Sequence, residues 1–460
     1  MLRRNFLGSF GGLAMAQMLG QERDGLHHKP RAKRIIQIFL SGAASQCDTF
    51  DYKPRLIEKA GQPWDPGEKV ELFQSNPGVV MPSPWAWKQY GQSGKWVSDL
   101  FPAMAQCVDD MAFVHSLQSK SNIHGPATFM QNTGFILPGF PSAGSWVSYA
   151  LGTLNENLPK FVVLPDRRGV PPNGPGNWSA GFLPAAHQAT TVRVGTPHPI
   201  YDLDAPTDAK YITKSSERDG LALLDQVNRS HLQTHAGDSR LEARIASYQM
   251  AAKLQLSAPD VLGIAGESPA TRKLYGLDDP ITAEMAERCL VARRLVERGV
   301  RFVQIWSGAD NGFPRRNWDS HENLAKDHGE MGTAMDKPVA GLLRDLKSRG
   351  LLEDTIVQWT TEFGRMPCSQ GSLGRDHNPA GFTTWLAGGG FQGGVSYGAT
   401  DEWSYKAIEK PVYCYDIHAT MLHLLGIDHQ RLTYRNNGID RRLTDVHGSV
   451  ISDLLAGSTA

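Results

Sequence analysis

The chain has 460 residues, with 47 basic and 47 acidic side chains, 47 glycines and 28 prolines. This composition is typical of a globular, loop-rich protein and excludes disordered, collagenous and disulfide-scaffold chains. Residues 1–34 hold seven Lys or Arg and two Asp or Glu, which leaves 40 against 45, or −5, for residues 35–460. Residues 35–460 therefore lack the excess of basic side chains that is typical of nucleic-acid-binding proteins. No apolar run reaches the roughly 18 residues of a transmembrane segment.

The first residues resemble an export signal. Arg3 and Arg4 precede a Gly/Ala/Leu-rich apolar run that ends at Leu19, which is the layout of a twin-arginine signal. We therefore expect residues 1–33 to be a signal and linker, and we expect the protein to be exported to the periplasm or the cell exterior. The alternative interpretation is a frayed amphipathic tail.

The cysteines do not predict a metal knuckle or a disulfide framework, because they are odd in number, widely spaced and without a CxxC pair. We interpret them as buried free thiols. They are Cys47, Cys107, Cys289, Cys368 and Cys414.

From residue 34 onward the chain alternates between short apolar runs and helical periodicity, which predicts an α/β fold. Because the apolar runs are almost continuously hydrophobic, we expect a central, mostly parallel sheet with helices on both faces. Residues 34–460 are predicted to form one domain, with loop-rich insertions at about 52–100 and 166–300. The candidate strands are 34–40, 111–117, 161–164, 301–306, 355–360 and 383–387.

Polar segments follow five of these strands. In an open α/β sheet the ligand crevice lies beyond the carboxyl ends of the strands, so these segments are expected to converge on one site. The segments are 41–51, 119–134, 307–328, 361–379 and 388–401.

Within these segments, carboxylates are mixed with imidazoles, and this mixture predicts a divalent metal or anion site. The main candidates are Asp319, His321, Glu362 and His377. Two arginines in the same segments, Arg365 and Arg375, are candidates to neutralise an anionic ester. Glu362 and Arg365 have an alternative interpretation as a helix N-terminal carboxylate and its structural ion pair.

Six segments closely resemble a large family of exported bacterial proteins called domain of unknown function 1501. The resemblance covers essentially the whole chain after the leader, and its most specific block is GRDHNP at 374–379. That family is similar in fold to the sulfatases and alkaline phosphatases, so the resemblance implies an alkaline phosphatase-like fold with a metal site at its strand ends. The segments are FLSGAASQCDTFDYKP (39–54), SNIHGPATFMQNTG (121–134), WDSHENLAKDH (318–328), TEFGRMPCSQGSLGRDHNPAGF (361–382), LAGGGFQGGVSYGATDE (386–402) and RLTDVHGSVI (442–451).

The likeness to sulfatases rests on three segments. Residues 415–427 resemble the sulfatase C-terminal helix, and residues 346–364 resemble the segment whose strand ends in a metal-binding Asp-His-Gly, with Glu362-Phe363-Gly364 in that place. Residues 122–126 resemble the turn that carries the nucleophile.

Two positions depart from the sulfatase pattern. Ser41-Gly42 stands where one or two aspartates usually follow the first strand, so Asp48 or Asp51 would have to supply that carboxylate. His124 stands where the nucleophilic Cys or Ser would be, so no formylglycine can be made there.

The resemblance implies an exported, metal-dependent hydrolase of a sulfate or phosphate ester, with a small-molecule or glycan ester as substrate. His124 would be the nucleophile or general acid, and Arg365 or Arg375 would stabilise the anionic transition state. The expected cofactor is a divalent ion, Zn, Ca, Mg or Mn, held by Asp48, Asp319, His321, His328, Glu362 and His377.

The alternative is a catalytically inactive binding or assembly module in the cell envelope, which the missing aspartate and the replaced nucleophile favour. The resemblance also allows a partnership with an exported protein that carries haem-binding domains.

Overall fold

The computed structural model describes residues 26–457, apart from 71, 74, 75, 198, 201–210, 212, 236–240, 242–244, 246–248, 251–260, 311 and 313–315. The twin-arginine segment therefore lies outside the described residues. In the predicted linker, the backbone N–H groups of Arg31 and Ala32 both donate to the Leu424 carbonyl, so this part of the linker is bonded to the domain.

Each strand that was predicted from the sequence is present in the main sheet. The strands of the main sheet are β1 (Arg34–Leu40), β4 (Met111–Gln118), β5 (Phe161–Leu164), β6 (Thr190–Thr191), β7 (Phe302–Ser307), β8 (Thr355–Thr361), β11 (Phe382–Ala387), β12 (Ser396–Tyr397) and β15 (Val412–Tyr413). The smaller pairs are β2 (Trp87–Tyr90) with β3 (Lys95–Ser98), β9 (Gly364–Arg365) with β10 (His377–Asn378), β13 (Ala399–Thr400) with β14 (Ala407–Glu409), and β16 (Tyr434–Asn436) with β17 (Ile439–Arg441).

Helices lie between many of these strands along the chain. They are α1 (Pro54–Glu58), α2 (His124–Thr133), α3 (Ala143–Leu151), α4 (Lys214–Thr234), α5 (Pro269–Tyr275), α6 (Ala283–Glu297), α7 (Leu324–Ser348) and α8 (Cys414–Leu424). Within the described ranges, no helix combines the length and the apolar character needed to cross a bilayer.

The sheet order is β12-β4-β11-β8-β1-β7-β5-β6, with β15 also paired to β4. β1 is central and pairs in parallel with both β7 and β8. Alternate residues of β1 enter opposite cores, because Ile36 and Ile38 pack with α6 and α7, whereas Ile35 and Phe39 pack with α3 and α8. The α/β class, with a mostly parallel sheet between two helical layers, is therefore confirmed.

One strand runs against the others. β11 is antiparallel to both β4 and β8, so its amino end lies at the edge where the parallel strands have their carboxyl ends. The expectation that residues 388–401 join the site is wrong, because this segment leaves β11 at the opposite edge. The residues that precede β11 are brought to the site instead.

Candidate metal centre

The candidate site lies at the carboxyl edge of the parallel strands. His124 begins α2 shortly after β4, Glu362 directly follows β8, and His377 lies in β10 just before β11. Asp319 and His321 lie between β7 and α7, where the Asn323 side chain caps the helix by accepting from the Lys326 N–H. Distant parts of the sequence therefore contribute to one buried cluster.

Three imidazoles surround one carboxylate oxygen. Asp319 Oδ1 lies 2.8 Å from His321 Nε2, 3.1 Å from His124 Nε2 and 3.3 Å from His377 Nε2. The Nε2 atoms of His321 and His377 are 2.9 Å apart. Each of these side chains can offer a ligand atom within 4.8 Å of the others. The predicted proximity of His321 and His377 is thus present.

The histidines are held from outside the cluster through Nδ1. Each Nδ1 faces an oxygen that can only accept a hydrogen bond, so Nδ1 carries the proton and the lone pair of a neutral ring is on Nε2. The acceptors are Glu362 Oε1 for His124 (2.7 Å), the Asn122 carbonyl for His377 (2.6 Å) and Gln370 Oε1 for His321.

This arrangement fits a cation. His124 Nε2 is buried, and within the described structure it makes no hydrogen bond, although Asp319 is close. Lone pairs that converge on an anionic oxygen repel it unless a positive charge lies among them. Ligating histidines usually donate their other ring N–H to a carboxylate or carbonyl, as all three do here. The donor set of three imidazole nitrogens and one carboxylate therefore suits a divalent metal ion.

Burial and neighbouring charges set the protonation of these groups. Burial opposes ionisation of Asp319, but the Arg365 guanidinium and the three histidines outweigh it and hold the pKa of this carboxyl well below its usual range. Burial also opposes protonation of His124, yet the neighbouring Asp319 and Glu362 carboxylates raise its pKa. Burial lowers the pKa of His377 to about 3. Asp319 is therefore the fixed negative charge of the centre.

Glu362 lies behind the cluster rather than in it. Its Oε1 accepts from His124 Nδ1–H and from the Gly42 backbone N–H, each at 2.7 Å, and its Oε2 accepts from the Thr361 hydroxyl at 3.0 Å. Because both of its oxygens already accept hydrogen bonds, Glu362 orients His124 and does not offer a ligand atom to the cluster. His124, predicted as a nucleophile or acid, instead lies in the cluster, with its Nε2 facing Asp319 Oδ1.

Arg365 is buried and supports Asp319. Its Nη2 lies 2.6 Å from Asp319 Oδ1, its Nε donates to the Ala43 carbonyl at 2.9 Å, and its Nη1 donates to the Arg375 carbonyl at 3.1 Å. These contacts orient the carboxylate. They leave the guanidinium engaged with the protein, so we treat Arg365 as a positioning residue.

Asp48 and Arg375 form a buried ion pair away from the cluster. Arg375 Nε and Nη2 donate to the two carboxylate oxygens of Asp48 at 2.8 and 3.1 Å, and other N–H groups of the same guanidinium donate to the Met366 and Met81 carbonyls. Such a fork-shaped pair satisfies both partners. We therefore leave Asp48 out of the ligand set and Arg375 out of the catalytic set.

His328 has both ring nitrogens occupied. Its Nε2 accepts from the Ser45 backbone N–H at 3.0 Å, and its Nδ1–H donates to the Ser320 hydroxyl at 2.7 Å. Burial, helped by Arg365 and Arg375, lowers the pKa of His328 well below its usual value. It is a neutral structural histidine that braces the loop before α7, and we do not retain it as a ligand.

Some contributors were not predicted from the sequence. Gln370 and the carbonyl of Asn122 orient two of the histidines, and an acceptor of this kind leaves no signal in residue type or spacing. Phe73 stacks on the His377 ring at 4.6 Å, and Phe363 stacks on the His124 ring at 4.9 Å. The insertion at 52–100 thus supplies one wall of the site.

The five cysteines are all buried and free, as predicted, and none belongs to the cluster. Burial raises the pKa of Cys47 to about 12, so this thiol, which lies near Arg365, is neutral and unreactive.

Several solved structures are similar to the chain at low identity. The PsFucS1 sulfatase from Pseudoalteromonas sp. is 11% identical, with a TM-score of 0.35, and the match covers 86% of this chain and 68% of that one. The phosphonate monoester hydrolase SpPMH from Silicibacter pomeroyi is 12% identical, with a TM-score of 0.35 and coverages of 71% and 68%. A mutant of the TAB5 alkaline phosphatase with bound Mg is 11% identical, with a TM-score of 0.33 and coverages of 86% and 98%.

No curated protein sequence matches the chain. A family model described as "Protein of unknown function (DUF1501)" matches residues 32–455. This match spans most of the 460 residues, and the chain therefore belongs to the DUF1501 family.

Proposed function

We propose that this protein is a metal-dependent hydrolase of sulfate or phosphate esters. The observation that carries the proposal is the convergence of three buried Nε2 atoms on the Asp319 carboxylate, with each Nδ1–H held from outside. Three buried lone pairs directed at one carboxylate oxygen are costly to assemble unless a cation lies among them, and histidines that bind metals usually have their other ring N–H held in this way.

His124, Asp319, His321 and His377 would hold the ion. When bound, the ion would supply Lewis-acid polarisation of an ester oxygen and a lowered pKa for a bound water. Glu362 holds the Nδ1 proton of His124, which keeps that ring in the tautomer whose Nε2 faces inward.

The remaining neighbours position the centre and exclude water. Arg365 fixes the direction of the Asp319 carboxylate, and the rings of Phe73 and Phe363 cover two of the imidazoles. An apolar cover lowers the local dielectric, which strengthens the attraction between the carboxylate and a cation.

A second candidate is a silent binding or assembly module with a structural ion. The observation that favours it is the closure of the cluster, since the exposed fraction of each of its four side chains is 8% or less. In that case the ion would be bound but esters would not be hydrolysed.

The proposal is tested with the purified full chain, using 4-nitrophenyl sulfate and 4-nitrophenyl phosphate as probes. We expect hydrolysis of at least one probe, loss of that activity on chelation, and recovery when a divalent ion is restored. His377→Ala should lower kcat/KM by at least about 100-fold, because it removes a ligand.

His447→Ala is the matched control, because His447 is exposed and lies outside the cluster. It should retain full activity. Metal-loaded wild type that leaves both esters intact would favour the silent module instead.

We also propose export by the twin-arginine route, supported by Arg3 and Arg4 ahead of the apolar run. Replacement of both arginines by lysine should retain the protein in the cytoplasm, and secretion at the wild-type level would rule out that route.

We also propose a partnership with an exported haem-domain protein, supported by the family resemblance. Co-purification of a haem protein from the native host, absent from a host that lacks it, tests the partnership.

A further inference from the structure

We propose that the centre binds a single, nitrogen-preferring transition ion, because the Arg365 guanidinium permanently takes the place of a second cation. This inference rests on the proposed function, but it concerns the number and class of ions rather than the reaction. It assigns Arg365 a role that residue spacing could not indicate.

The first argument is the surroundings of Arg365. Its N–H groups are directed at the Asp319 carboxylate and at the backbone carbonyls of Gly42, Ala43 and Arg375. A carboxylate with several carbonyl oxygens is the ligand set that a hard cation such as Ca²⁺ uses. Here a cation built into the chain occupies that set of oxygens.

The second argument is charge. Arginine stays protonated in proteins, and the Arg365 side chain is fully buried. Asp319 Oδ1 is shared between this guanidinium and the three imidazoles. The single charge of Asp319 thus faces both the fixed cation and the ion, and a second dication would lie beside a guanidinium at low dielectric, where the repulsion is large.

The third argument is the chemistry of the donors that remain. Three of the four are imidazole nitrogens, which suit Zn²⁺ and other first-row transition ions, whereas Ca²⁺ and Mg²⁺ prefer six or more oxygens. A four-atom set also matches the coordination number of Zn²⁺. The centre should therefore discriminate against alkaline-earth ions.

The test is elemental analysis of the full chain. Metal-free protein is equilibrated with an equimolar mixture of Zn²⁺, Mn²⁺, Ca²⁺ and Mg²⁺, freed of unbound ions, and analysed by mass spectrometry. We expect one transition ion per chain and less than about a tenth of an equivalent of Ca²⁺ or Mg²⁺. Two ions per chain, or one alkaline-earth ion, would overturn the inference while leaving a metal-dependent hydrolase intact.

Arg365→Ala tests the role of the guanidinium. If the variant folds, as judged by circular dichroism, it should bind a second ion when Ca²⁺ is supplied in excess. A folded variant that still binds one ion would overturn the role assigned to Arg365. Arg349→Ala is the control, because Arg349 is a partly exposed arginine paired with Asp345 and should leave the stoichiometry at one. If Arg365→Ala does not fold, the wild-type stoichiometry and ion class still decide the proposal.

Discussion

At the scale of residues, the cluster depends on side chains that lie behind it. Glu362 is fully buried, and it bonds His124 on one side and the Gly42 backbone N–H on the other. A carboxylate in this position fixes the tautomer of the ligating histidine and raises its basicity. The charge of Glu362 would therefore act on a bound ion through the imidazole.

Replacement of Glu362 by glutamine tests this role. The amide oxygen can still accept from His124 Nδ1–H, but the negative charge is lost, so metal affinity should fall by about 10- to 100-fold. Competition with a fluorescent chelator measures the change. Glu353→Gln is the control, because Glu353 is exposed. An affinity for Glu362→Gln that equals the wild-type value would mean that Glu362 has only a packing role.

Residue types alone predicted which side chains would lie at the strand ends but not what each would do there. Asp319, His321 and His377 come together because their segments end or begin elements at one edge of the sheet. Asp48 is an aspartate like Asp319, and it also lies in a segment that follows a strand. Its carboxylate is taken by Arg375, and a pairing across more than 300 residues leaves no mark in local sequence.

At the scale of elements, the turn after β1 explains why position 42 departs from the sulfatase pattern. Gly42 has φ of +106°, and a Cβ atom built there would lie 2.6 Å from the backbone nitrogens of both Trp318 and Asp319. Position 42 therefore has no room for an aspartate. The turn instead brings a backbone N–H to Glu362 and a carbonyl to Arg365.

Gly42→Ala should consequently destabilise the protein by about 3 kcal/mol, because backbone strain and overpacking act together. It should also weaken metal binding, since the added methyl group displaces the loop that carries Asp319. Gly61→Ala is the matched control, because Gly61 also has positive φ (+75°) but nothing within 4 Å of the added carbon. Its cost should be only about 1 kcal/mol. Urea unfolding measures both free energies, and equal values would contradict the steric argument.

The elements also show where sequence patterns stop being informative. Hydrophobic runs marked the strands well, because a strand buried on both faces is almost continuously apolar. They carried no information on direction, so the antiparallel course of β11 was not predicted. Because of this direction, residues 377–379, which precede β11, lie at the site. Residues 388–401, which follow β11, leave it at the opposite edge of the sheet.

At the scale of the whole molecule, the main sheet has a buried cluster at its strand ends, and the 52–100 segment covers part of that cluster. The sheet is held between two apolar cores, and Phe73 of the insertion lies against His377. Neither core includes the four side chains of the cluster. Loss of the ion should leave the sheet folded while it removes the proposed chemistry.

The measurement that tests the central claim most directly is anomalous X-ray scattering from crystals of the protein loaded with Zn²⁺, with data collected on both sides of the zinc absorption edge. The account predicts one strong anomalous peak per chain, bounded by the Nε2 atoms of His124, His321 and His377 and by the Asp319 carboxylate. Crystals in which these four side chains remain together with no peak between them, or in which zinc binds only elsewhere, would contradict it.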